Sequence, residues 1–100
     1  VVSSQAPPNI MAAPHAQERQ HVFKTLKTSP WPTDENDARA SDLMSAYWVA
    51  FAKTGNPNGG GRPEWPLAGD DNRVFEFTNR APTIAQQPRP AALDVIAQKY

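Results

Sequence analysis

Residues 47–58 read Tyr47-Trp48-Val49-Ala50-Phe51-Ala52-Lys53-Thr54-Gly55-Asn56-Pro57-Asn58, and Trp65-Pro66 follows beyond a glycine-rich gap. The first half of this stretch closes a helical pattern. Leu43, Met44, Tyr47, Trp48 and Phe51 fall at i, i+1, i+4, i+5 and i+8, which is one apolar face in helical projection. Lys53 puts a positive charge in the last turn, where the helix dipole favours it, and Gly55 offers the left-handed residue that ends a helix. Pro57 then prevents continuation.

Upstream, Asp34, Glu35 and Asp37 supply the negative charge that suits a helix start, so the spacing predicts a helix from Asp34 or Asp37 to Thr54. Ser29-Pro30-Trp31-Pro32 separates it from a shorter predicted helix over 16–26, where Val22, Phe23 and Leu26 are at helical spacing. Residues 1–14 read as a connector: Val1-Val2-Ser3-Ser4 is briefly β-prone, and Ala6-Pro7-Pro8-Asn9 withholds backbone donors. Downstream, 55–72 is a loop by composition, with Trp65 held extended between Pro63 and Pro66 and a turn at Gly69-Asp70-Asp71-Asn72. Residues 73–78 read as one short strand, 81–89 as irregular, and Pro90 opens a last helix over 90–100.

Composition narrows the classes of function. Val, Ile, Leu and Phe total 17 of 100 residues, a thin supply for a self-sufficient core, and the 11 prolines lie almost entirely outside the long helix. Ten basic and ten acidic residues cancel, with no run of like charge, so nucleic acid and anionic membrane surfaces are dropped as partners. Cysteine is absent, which removes disulfides, thiolate zinc sites and cysteine nucleophiles but leaves the compartment open. The longest apolar-leaning run, 43–52, is about half a membrane span. The chain begins Val1-Val2 without Met, a start compatible with a truncated or processed product.

Two segments together resemble the C-terminal region of type-B carboxylesterases, the α/β-hydrolase family of the para-nitrobenzyl esterases and cholinesterases. One is Ala12-Ala13-Pro14-His15-Ala16-Gln17-Glu18 followed by Val22-Phe23 and Leu26. It is similar to the family's Gly-Ala-Pro-His-Gly/Ala-x-Glu, then Ile/Leu-Pro-Tyr-Val-Phe. The other runs from Tyr47 to Asn58 and on to Trp65-Pro66, similar to the family's Trp-x-x-Phe-Ala-x-Thr-Gly-x-Pro-Asn and Trp-Pro. The likeness spans roughly 12–80. Ala12 departs from the family's Gly, and Arg19, Gln20 and His21 stand where the family has an aliphatic residue, Pro and Tyr.

The resemblance implies an α/β-hydrolase C-terminal fragment, mostly α-helical when isolated, with proline-rich arms and one short β element. It implies that His15 is the triad base, which takes the proton from a serine and returns it to the leaving alcohol. No Gly-x-Ser-x-Gly occurs in the chain, and in the family the triad acid comes from an earlier loop, so Glu18 is a local neighbour of His15. The expected parent is a cofactor-independent carboxylic ester hydrolase, with the remainder of the hydrolase chain and a small-molecule ester as partners. The isolated chain is expected to be inactive.

Other readings stand beside it. His15, Glu18 and His21 sit about 0°, 300° and 240° round a helix at its ~100° step, a poor zinc set. His21 is expected to be partly exposed and structural. Tyr47, Trp48 and Phe51 read as packing surface, and Arg62, Arg73, Arg80 and Arg89 as scattered solvated charge. The rival functions are a small helical binding module that uses the Tyr47-Trp48-Phe51 face, and an inactive esterase homologue.

Overall fold

A computed structural model describes residues 13–69 and 71–99. Most of the connector expected over 1–14, together with Asp70 and Tyr100, lies outside the described residues. In chain order the elements are α1 (Arg19–Val22), a 3-10 turn (Leu26–Thr28), α2 (Glu35–Thr54), β1 (Arg73–Glu76), β2 (Thr83–Gln86) and α3 (Pro90–Ala97).

Local chemistry sets both ends of α2. Asp34 is its N-cap: Oδ1 accepts from the amides of Asn36 at 2.8 Å and Asp37 at 3.2 Å. Asp37 reciprocates, its Oδ2 accepting from the Asp34 amide at 3.0 Å, which completes a capping box. At the other end Gly55 adopts φ 74° and its amide donates to Phe51 O at 2.7 Å.

The buried stripe of α2 is Asp37, Ala40, Ser41, Met44 and Tyr47. It is rotated from the apolar face expected from the sequence. Tyr47 is fully buried, but Trp48 keeps 43% and Phe51 59% of their surface exposed. The reason is what packs there: α1 covers the first half of the stripe and the loop after α2 folds over Tyr47, while Trp48 is covered only in part, by Trp65 and Phe77, and Phe51 stays mostly exposed.

The segment 16–26 is not one helix. Only Arg19–Val22 is α-helical, because Lys24 turns to φ 55° and closes a Schellman arrangement in which the Lys24 amide donates to His21 O at 3.2 Å and the Thr25 amide to Gln20 O at 2.9 Å. Val22 and His21 on this turn are buried against α2. His21 is therefore not partly exposed, as its polarity suggested, but retains 1% of its surface.

The β content is a pair rather than a single short strand. β1 pairs antiparallel with β2, Arg73 opposite Gln86 and Phe75 opposite Ile84. Part of the span expected to be irregular thus becomes a strand. Thr83-Ile84-Ala85-Gln86 has too little alternation to declare itself, and its backbone is ordered by the edge that β1 offers. Phe75 and Phe77 meet Trp65, Tyr47 and Trp48 in an aromatic cluster, with Trp65 stacked on Phe75 at 5.1 Å and edge-on to Tyr47 at 5.5 Å. Arg62 lies over the Tyr47 ring at 5.4 Å, and the Tyr47 hydroxyl donates to Pro63 O. Among the described residues α3 packs on no other element, and Leu93, Val95 and Ile96 are all exposed.

Candidate active-site histidine and its supporting turn

His15 occupies the turn that leads into α1. The Gln17 amide donates to Pro14 O at 3.2 Å and the Arg19 amide to Ala16 O at 3.3 Å, so the histidine lies inside one tight turn and a second follows directly. Ala16 takes φ 61°, a left-handed conformation that costs a residue with a side chain about 1–2 kcal/mol and that Gly tolerates best. The resulting bend leaves His15 exposed. It opens into a cavity of about 580 Å³ shared with Arg19, Gln20, Phe23 and Thr28.

Beyond the turn, α1 is fastened to α2 through buried polar groups. Ser41 Oγ donates to His21 O at 2.7 Å. The His21 ring sits between two acceptors, with Nδ1 3.4 Å from Gln17 O and Nε2 3.8 Å from Asp37 Oδ1. The second distance is beyond hydrogen-bond reach, and Nε2 is without a hydrogen-bond partner. Asp37 thus serves two purposes, capping α2 and facing the ring that carries the His15 turn. On the outer side Gln20 Nε2 donates to Thr28 O at 3.0 Å and ties α1 to the 3-10 turn.

Of the residues singled out in the sequence, His15 lines this cavity, Glu18 lies exposed beside it, and His21 points into the interior. Glu18 makes no hydrogen bond or ion pair with His15. Among the described residues no three His, Asp or Glu side chains gather as a metal site would require. The His21–Asp37–Ser41 cluster was missed. Its available signal was Asp34-x-x-Asp37, a capping-box spacing that also fixes where the Asp37 carboxylate lies.

The model of the carboxylesterase family matches residues 2–96, so the chain belongs to the carboxylesterase family, whose fold is the α/β hydrolase. It is 33% identical to human cocaine esterase over 81 residues, which cover 80% of this chain and 14% of that protein. It is 40% identical to mouse carboxylesterase 3B over 78 residues, covering 70% of this chain and 14% of the relative. With rat bile salt-activated lipase the identity is 41% over 56 residues, covering 56% of this chain and 9% of the relative. The matched part of the chain thus spans between 9% and 14% of the length of these relatives.

Proposed function

We propose that the chain is the C-terminal segment of a serine carboxylesterase, one part of an α/β-hydrolase domain rather than a domain of its own, and that it supplies the triad histidine, His15. The observation that carries this reading is the exposure of His15 on a strained turn that runs directly into α1, where His21 is buried, faces Gln17 O of the turn and is bonded through its carbonyl to Ser41 of α2. A proton-transfer base needs that combination: one face open to the reacting groups and a backbone held against displacement.

In the complete enzyme a serine from the preceding chain attacks the ester carbonyl while His15 takes its proton. His15 then protonates the leaving alcohol, and an acid from an earlier loop orients the ring. Water repeats the sequence on the acyl-serine, releasing the carboxylic acid. This chain contributes no nucleophile, since its five glycines frame no Gly-x-Ser-x-Gly. The exposed Trp48 and Phe51 side of α2 and the unpartnered α3 support a role as a piece seated against the rest of the hydrolase.

The test is His15→Ala in the full-length protein, assayed with p-nitrophenyl acetate. Loss of kcat by roughly four orders of magnitude or more, with the fold intact by circular dichroism, is the expected result. Activity retained within about tenfold removes His15 from the triad.

A further inference from the structure

We propose that Arg19 makes the cavity beside His15 selective for esters that carry a carboxylate, such as half-esters of dicarboxylic acids. The inference rests on the reading of His15 as the triad base and adds the class of substrate.

Arg19 and His15 line the same cavity. The Arg19 Nε–H donates to Ala16 O at 3.4 Å, which holds the guanidinium against the residue next to His15 and leaves its outer nitrogens for a ligand. A guanidinium presents donors in a planar fork that matches a carboxylate, so a tethered one is a ready receptor for that group. Among the described residues the ion pairs are Lys24 with Asp42, Arg73 with Asp71 and His21 with Asp37, and Arg19 enters none. Among the described residues no carboxylate lines this cavity, so its positive charge is not neutralised by them.

The other walls fit the rest of such a molecule. Phe23 is 72% exposed and offers an apolar surface to an alkyl chain. Gln20 is engaged with Thr28 and does not compete for the anion. An ester bound with its carboxylate on Arg19 has its remaining carbons over Phe23 and its scissile bond toward His15. The same position is aliphatic in the family pattern that the sequence resembles, and an aliphatic side chain has no attraction for an anion.

The experiment compares monoethyl succinate with the neutral ethyl butyrate in the full-length enzyme, and reads the ratio of the two kcat/KM values. Arg19→Leu is expected to lower that ratio at least about tenfold, chiefly through KM for the half-ester, and Arg19→Lys, which keeps the charge but not the fork, to restore part of it. Raising the ionic strength is expected to lower the wild-type ratio as well, a readout that does not depend on how well any variant folds. A ratio that stays within about twofold in Arg19→Leu, or that ignores salt in the wild type, overturns the proposal. His15→Ala separates the two claims. If it abolishes hydrolysis while the ratio ignores Arg19, only the substrate class falls; if it leaves hydrolysis intact, the reading of His15 falls and this proposal with it.

Discussion

Asn58 clamps the backbone of Trp65 from both sides: its Oδ1 accepts from the Trp65 amide at 2.7 Å and its Nδ2 donates to the Trp65 carbonyl at 2.9 Å. One side chain thereby satisfies both main-chain groups of a residue that Pro66 and its extended backbone keep out of regular structure. The clamp sets Trp65 over Tyr47 and Phe75, and so joins the end of α2 to the β1–β2 pair. The Pro-Asn and Trp-Pro pairs of the sequence are thus two halves of one contact.

Asn58→Ala should therefore unpin the loop. Two hydrogen bonds to a half-buried backbone are lost together, and the expected cost is about 1–3 kcal/mol. Urea unfolding of the full-length protein, followed by tryptophan fluorescence, checks it, and Asn58→Asp is expected to keep the bond from the Trp65 amide and recover part of the loss.

Asp34 and Asp37 share a capping box, yet their substitution should not be equivalent. Asp34→Ala removes the acceptor for two first-turn amides, at about 1 kcal/mol. Asp37→Ala removes the reciprocal bond and also strips the buried His21 ring of the carboxylate it faces, so about 2–4 kcal/mol is expected. Because His21 lies under the His15 turn, the Asp37 variant should also lose kcat, whereas the Asp34 variant should lose mainly stability. Paired unfolding and kinetic measurements separate the two, and equal effects in both would remove Asp37 from the support of the turn.

Burial pushes the Tyr47 phenol above its ordinary value of 10.0, with the nearby Arg62 charge opposing this in part. A raised folded-state value means that stability from this group is complete below about pH 10 and is lost as the pH climbs toward the folded-state value, because the unfolded chain ionises first. Tyr47→Phe should lower stability by about 1 kcal/mol near neutrality, through loss of the bond to Pro63 O, and should flatten the alkaline decline. Urea midpoints at about pH 8 and about pH 11 measure both, and a decline as steep in the variant as in the wild type would assign it to other groups.

What the sequence determined alone was whatever depends on neighbours within a few positions. Asp34, Gly55 and Pro57 state the ends of α2 because capping and left-handed termination are made of groups a turn apart. The spacing of the His15 and Tyr47–Asn58 segments likewise sufficed for the family, since it reflects a scaffold shared by relatives. Tertiary structure decided which side of α2 is buried, that His21 goes inside against Asp37, and that Thr83–Gln86 pairs with Arg73–Glu76. Each of these rests on a partner brought close only by folding, and neither a polar ring beside Val22 nor a weakly alternating run carries a local sign of such a partner.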